Sequence, residues 1–276
     1  MTEPRSWLFV PADSEKKIGK AIESEADAVI FDLEDSVAPA QKIVARQILK
    51  ALGKRSGGPQ WWVRVNPLGS EHHKDDLDVI GMADLHGIVL PKAEGGSDVT
   101  QLAHRTGNIP IHAIVTETAA SLFGMLSYRD PKSPLTAMSW GAEDLSAALG
   151  ASSKYDSDGT LSYTYKLARS LCLAGAVAAG VQPVDGVFAD FRDDEGLGAE
   201  AQAAAREGFT GKLAIHPAQV AVINAAFTPS AGEVDHARAI VEAFDAEPGA
   251  GVLSVGGRMV DRPHLVQARR VLDRAR

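Results

Sequence analysis

Eight short apolar runs, each followed by a stretch with helical spacing, recur along this chain, and few architectures accommodate such a pattern. The runs lie at residues 7–11, 28–33, 61–66, 87–91, 111–116, 136–141, 184–189 and 212–216. Several are continuously apolar, not alternating, which is how a strand reads when both of its faces are buried in a parallel sheet. The segments 15–24, 39–52, 163–179, 199–207 and 217–226 are rich in Ala, Leu, Lys and Glu. Their apolar residues recur about every 3.6 positions, which predicts helices. Eight alternating units close into a (β/α)8 TIM barrel, an α/β fold. An open doubly wound sheet is the rival, but no Gly-x-Gly-x-x-Gly turn follows the first run, so its dinucleotide-binding form is disfavoured.

The 276 residues would allow two domains by length, yet α/β barrels of this size commonly form one. We assign 1–228 to a catalytic barrel and 229–276 to a C-terminal helical lid or arm that serves oligomerisation. That tail carries a helical stretch at 231–246, the glycines Gly249, Gly251, Gly256 and Gly257, and a final helix from about residue 263. A barrel does not need it to close. Its glycine-rich hinge suggests a mobile flap or an arm reaching a neighbouring subunit, with a plain helical cap as the alternative. With a net charge of -8 and no basic tract, a nucleic-acid partner has little support. No apolar stretch is long enough to span a bilayer, no signal peptide is read, and the single Cys172 forms no intrachain disulfide. The expectation is a cytoplasmic protein with no membrane partner, and Cys172 reads as a core residue.

In a parallel barrel the catalytic groups gather at the C-terminal ends of the strands. Glu117 and Asp144 stand just past the fifth and sixth runs. Two carboxylates there make a hard oxygen site suited to Mg2+, although helix-start acids read the same way. Asp32, Glu34 and Asp35 follow the second run. Asp32 is expected to point into the mouth, and Glu34 and Asp35 to cap a helix or form ion pairs, with Lys42 and Arg46 as partners. Arg64, inside the third run, needs a partner if buried, and its fork suits a substrate carboxylate or a developing enolate. Lys92 ends the fourth run, where nearby carboxylates favour a charged structural lysine over a Schiff-base lysine. His216 ends the eighth, as a general base or as a pocket wall or cap.

Taken together, these stretches resemble the HpcH/HpaI aldolase/citrate lyase family, in its citrate lyase β-like and malyl-CoA lyase branch. The matching motifs include Phe31-Asp32-Leu33-Glu34-Asp35-Ser36-Val37, Arg64-Val65-Asn66, Leu90-Pro91-Lys92, Glu117-Thr118-Ala119, Gly141-Ala142-Glu143-Asp144-Leu145 and Lys212-Leu213-Ala214-Ile215-His216-Pro217. The resemblance runs from about residue 5 to 270. It implies a Mg2+-bound barrel that cleaves or forms a C–C bond next to a CoA thioester. Glu117 and Asp144 match metal ligands, with Glu143 beside them in the substrate-binding group. Arg64 matches the substrate-binding arginine, Phe9 and Lys20 match positions near CoA, and Ile215 and His216 match a pocket-lining pair. Asp261 matches an acid on a C-terminal lid that covers a neighbouring subunit's site. Where malyl-CoA lyases often carry an arginine in the first loop, this chain has Ser14, with Lys16 and Lys17 close behind.

The expected activity is a retro-Claisen or Claisen lyase acting on a short 3-hydroxy-carboxyacyl-CoA such as (S)-malyl-CoA, β-methylmalyl-CoA or citramalyl-CoA. The products are an acyl-CoA and a 2-keto acid, and thioester hydrolysis is a close variant. Arg64 and Asp261 are the expected catalytic residues, and a trimeric or hexameric homo-oligomer the expected assembly. The rivals are a citrate lyase β subunit acting on a citryl thioester of an acyl carrier protein, and a non-catalytic binding barrel.

Overall fold

The computed structural model describes residues 3–53, 57–81, 83–130 and 132–275. Eight parallel strands, β1 Ser6–Pro11, β2 Ala28–Asp32, β3 Gln60–Arg64, β4 Gly87–Leu90, β5 Ile111–Ile114, β6 Leu135–Ser139, β7 Gln182–Asp185 and β8 Gly211–Ala214, close into a barrel in sequence order. This is the expected (β/α)8 architecture. Apart from β1, which ends with its run at Pro11, the strands stop one to four residues before the apolar runs do, so the last residues of those runs form the rim loops. The helices α1 Glu15–Ile22, α2 Lys42–Ala51, α3 His73–Ile80, α4 Gly96–Thr106, α5 Ala142–Leu149, α6 Tyr163–Ala179, α7 Asp194–Glu207 and α8 Gln219–Ala226 follow the strands. After β5, two 3-10 turns, Ala120–Phe123 and Met125–Tyr128, stand where a helix would be expected.

Every residue of β2, β4, β5, β7 and β8 is buried, which accounts for their unbroken apolar character. Inside, Trp7, Ala28, Ile30, Trp62, Val89, Ile114, Ala137, Val184 and Leu213 form one cluster with Phe9 against it. Trp7 and Trp62 meet at 4.9 Å between ring centres. Gly87 makes room for this pair, because a Cβ there would fall 2.1 Å from the Trp62 ring. His112 stands edge-on to Trp7 at 4.6 Å, fully buried, with no hydrogen-bond partner for either ring nitrogen. Burial pushes its proton affinity down to about 3.

A buried ion cluster joins β7 and β8 to the surrounding helices. Asp185 accepts from Trp140 Nε1 at 2.7 Å, Arg169 Nε at 2.8 Å and Lys212 Nζ at 3.0 Å. Lys212 also donates to the Gly186 carbonyl and to Glu200. Burial alone would raise the Asp185 carboxyl, but Lys212 and Arg169 outweigh it and hold it at about 2.

The chain divides into two compact units, Glu3–Asn224 and a second from Ala225 onward. The second contains α9 Ala231–Ala246, the antiparallel strands β9 Val252–Val255 and β10 Arg258–Asp261, and α10 Arg262–Arg274. Its own core is Ala237, Ile240, Phe244, Val260, Leu265 and Ala268. Gly256 and Gly257, read from sequence as part of a hinge, are instead the turn of this hairpin. Both have positive φ (58° and 77°), the backbone that a two-residue hairpin loop demands.

Candidate functional site

The pairing of β2 with β3 places Asp32 opposite Arg64. Each follows a core residue, Ile30 or Trp62, by two positions and therefore shares its inward face. Arg64 Nε donates to Asp32 Oδ1 at 2.7 Å and Nη2 to Oδ2 at 2.6 Å, a bidentate fork. Nη1 lies 2.9 Å from Glu34 Oε2, near enough for an ion pair but without hydrogen-bond alignment. The guanidinium rests 4.7 Å above the Phe9 ring. Burial opposes the charge on Arg64; Asp32, Glu34 and Glu117 more than offset it, so the group stays charged. Asp32 is likewise penalised by burial but held below the usual carboxylate range by Arg64. Two of the five guanidinium N–H groups are fixed on Asp32, which leaves three for Glu34 and a ligand.

Lys42 and Arg46, expected as partners of the acids after β2, form no ion pair with them, although the Lys42 ammonium feels Asp32 and Glu34 through space. Lys42 Nζ donates to the carbonyls of Leu33 and Glu34 and to Asn66 Oδ1, while Arg46 pairs with Asp76 at 2.8 Å. Both stand on α2, from which Lys42 meets loop carbonyls and Arg46 meets α3. The acids are met by Arg64 and Lys92 from neighbouring strands.

Glu117 and Asp144 come together around Lys92. The Lys92 N–H donates to Glu117 Oε2 at 2.6 Å, and its ammonium lies 2.5 Å from Glu34 Oε1 and 3.4 Å from Asp144 Oδ1. These carboxylates, with Glu117, raise the Lys92 ammonium above the usual lysine range against the effect of burial, which leaves no neutral amine for a Schiff base. Glu117 is nearly fully buried. Burial, with repulsion from Glu34 and Asp144, pushes its carboxyl up to about 8 despite the Lys92 N–H. A carboxyl that resists ionising in isolation ionises readily beside a cation. Gly141 lies against it, since a Cβ there would come within 2.9 Å of Glu117 Cγ. Mg2+ binds through one or two carboxylates and fills its other positions with water and substrate oxygens. The pair fits that requirement, and among the described residues no group of three or more His, Cys, Asp or Glu forms an alternative metal cage.

The remaining expected residues are more dispersed. Phe9 is part of the site through Arg64. Glu143 is exposed and pairs with Lys154. Lys20 is exposed in the last turn of α1, whose N-cap is Ser14. Ile215 and His216 are exposed just past β8; His216 stacks on Phe191 at 4.5 Å, and its Nδ1 accepts from the Ala218 N–H. Asp261 belongs to the second unit, where it caps α10 and bonds His264 Nδ1 at 2.5 Å. Sequence reasoning missed Asp76, which takes both the backbone and side-chain N–H of Asn66 at 2.7 Å. Its place among several acids on α3 gave no sign of this.

A clamped guanidinium beside two carboxylates suits a substrate that develops negative charge next to a metal-bound oxygen acid. The model of the HpcH/HpaI aldolase/citrate lyase family matches residues 5–217. A (3S)-malyl-CoA thioesterase of Cereibacter sphaeroides is 38% identical over 279 residues, covering 98% of this chain and 94% of the relative. A mitochondrial citramalyl-CoA lyase of Mus musculus is 33% identical, covering 97% and 85%. The crystal structure of CitE from Mycobacterium tuberculosis in complex with magnesium, acetoacetate and coenzyme A superposes with a TM-score of 0.85 at 36% identity, covering 98% of this chain and 97% of that one. With its barrel, its rim motifs and these likenesses in register over almost the whole length, the chain belongs to the HpcH/HpaI aldolase/citrate lyase family.

Proposed function

We propose that the protein is a Mg2+-dependent carbon–carbon lyase acting on a short 3-hydroxy-carboxyacyl-CoA such as (S)-malyl-CoA, β-methylmalyl-CoA or citramalyl-CoA. The observation that carries this reading is the rim itself: Arg64 clamped by Asp32, next to Glu117 and Asp144 around Lys92. The likeness to a malyl-CoA thioesterase, to a citramalyl-CoA lyase and to a structure holding magnesium and coenzyme A supports it.

Glu117 and Asp144 hold the metal. When bound, Mg2+ supplies Lewis-acid polarisation and orients the oxygens of the 2-keto acid fragment. In cleavage, the substrate hydroxyl loses its proton to a base and becomes the keto oxygen. The C–C bond beyond it breaks, and the electron pair passes into the thioester as an enolate, which is protonated at carbon to give the acyl-CoA. Arg64 offers its remaining N–H groups to the enolate oxygen, while Asp32 and Phe9 keep the fork from turning. Phe9, Lys20, Ile215 and His216 line the path of the CoA thioester, and Glu143 stands at the substrate's edge. Asp261 of a neighbouring copy takes the hydroxyl proton. Its bond with His264 lowers its carboxyl below the ordinary value, so it is ionised at neutral pH. This assignment requires a homo-oligomer, measurable by light scattering.

The purified protein, given each CoA ester with Mg2+, should release a 2-keto acid and an acyl-CoA, and EDTA should abolish the reaction. No release from any of the three esters would sink the proposal. The thioesterase relative favours one further reading, hydrolysis at the same site. Free CoA and a hydroxy-dicarboxylate, with no 2-keto acid, would identify it. No helix among the described residues is long and apolar enough to cross a membrane.

A further inference from the structure

Among the described residues, Lys92 is the non-glycine residue with its backbone in the left-handed region, at φ 53°. Glycine takes this conformation without steric cost and lysine does not. Strain of this kind at the edge of a site persists because its surroundings hold it, and it points to a role. Two sets of contacts define that role. The Lys92 main chain donates its N–H to Glu117 Oε2 at 2.6 Å. The Lys92 side chain places its ammonium 2.5 Å from Glu34 Oε1, 3.4 Å from Asp144 Oδ1 and 3.6 Å from Asp35 Oδ2. One residue thus touches both candidate metal ligands, each through a different arm.

We infer that Lys92 is a positioning residue that sets the spacing of the Glu117 and Asp144 carboxylates for Mg2+, an inference that rests on the magnesium reading above. A glycine would supply the N–H contact without strain, so the ammonium is what lysine adds. A cation beside metal ligands has two opposed effects. By Coulomb's law it repels the incoming ion, so its removal should tighten binding. By tying Asp144 to Glu34 it fixes the ligand geometry, so its removal should weaken binding. Mg2+ demands near-ideal octahedral geometry, and partners that orient metal ligands are typically worth about 10–100-fold in affinity. The ammonium is hydrogen-bonded to Glu34, which already offsets its charge, so the geometric effect dominates.

The test is calorimetric titration of the full chain with MgCl2, with thermal melts in EDTA, for wild type, Lys92→Gly, Lys92→Asn and Lys92→Arg. Glycine and asparagine both accept the left-handed backbone and keep the N–H arm. Both variants should bind Mg2+ about 10–100-fold more weakly, with metal-free melting temperatures no lower than wild type, and Lys92→Arg should recover part of the affinity. Equal or tighter binding in Lys92→Gly and Lys92→Asn would overturn the inference while leaving the metal reading intact. Weaker binding that merely tracks a lower metal-free melting temperature in both variants would reduce Lys92 to a structural role and overturn it too. A wild-type protein that takes up no Mg2+ would bring down the metal reading and this inference with it.

Discussion

Replacing His112 with leucine should stabilise the barrel, and the gain should grow as the pH falls. His112 is fully buried among Trp7, Trp62 and the inner cluster, and neither ring nitrogen has a partner. A buried polar group left unpaired costs about 1–3 kcal/mol, so an apolar residue of similar size is at worst neutral at pH 7.5. The pH dependence comes from linkage. Burial holds His112 at about 3 in the fold, whereas an unfolded histidine titrates near 6.5. Because the folded value is the lower one, the unfolded chain binds the extra proton between these limits. The fold therefore keeps its full stability above about pH 6.5 and loses it as the pH drops toward 3. At pH 5 the loss is about 2 kcal/mol, and at pH 3 about 4 kcal/mol. Leucine has no such proton to bind. Urea unfolding of wild type and His112→Leu at pH 7.5 and pH 5.0 measures the effect, and their stability difference should widen by about 2 kcal/mol between the two conditions. Titrations common to both proteins cancel in that comparison. A difference that stays constant within about 0.5 kcal/mol would mean that His112 is solvated or partnered in solution, and the reasoning would fail.

Arg64→Lys keeps the charge but loses the fork that grips Asp32, and kcat should fall by roughly 10²–10³; steady-state kinetics showing a change in KM alone would reduce Arg64 to an anchor. Gly141→Ala places a methyl within 2.9 Å of Glu117 Cγ, so Mg2+ affinity measured by calorimetry should drop while the melting temperature changes little. Asp185→Asn leaves Lys212 buried beside a neutral group and should cost about 3–5 kcal/mol in urea unfolding. The Asp185 carboxyl sits at about 2 in the fold against 3.8 for an ordinary aspartate, so it stabilises above about pH 4 and its contribution, about 2 kcal/mol, is lost as pH falls toward 2. Acid unfolding of wild type should therefore steepen in that window, and that of Asp185→Asn should not.

The strands were legible because a barrel buries both faces of each one, so apolar character survives without any alternation to decode. Their ends were less so: residues such as Leu33, Asn66 and Thr116 continue the apolar or rim pattern after ladder pairing has stopped. The helix α7 begins at Asp194, five residues before the expected 199, because capping by Asp193 overrides the loop-like composition of 194–198, whereas α8 begins at Gln219, two residues after the expected 217. Individual site residues were legible from their positions at strand ends, but their partners were not. Lys42 and Arg46 lie close to the acids in sequence, yet Asp32 is met by Arg64, 32 residues away, and Glu34 by Lys92, 58 residues away. Sequence separation says little about proximity once adjacent strands run parallel, because each crossover returns the chain to the same rim.

The chemistry of the rim therefore depends on strand register far below it. Asp32 meets Arg64 because β2 and β3 pair Ala28 with Gln60 and keep step to the top. That step is set by Ile30 and Trp62, which face the core two residues earlier. A slip of one residue would turn the core residues outward, expose apolar surface and break the fork in the same movement. The same logic governs charge. Asp32, Glu34, Asp35, Glu117 and Asp144 set against Arg64 and Lys92 are five carboxylates to two cations, a formal excess of three negative charges that one Mg2+ would cut to one. Asp32 has a direct cationic partner and is held below the ordinary carboxylate range. Glu117, met by a backbone N–H but, among the described residues, by no guanidinium or ammonium within ion-pair distance, is the carboxyl raised to about 8. The barrel thus leaves its least compensated carboxyl at one of the two residues that would hold a divalent ion, and the packing of the core determines where that residue stands.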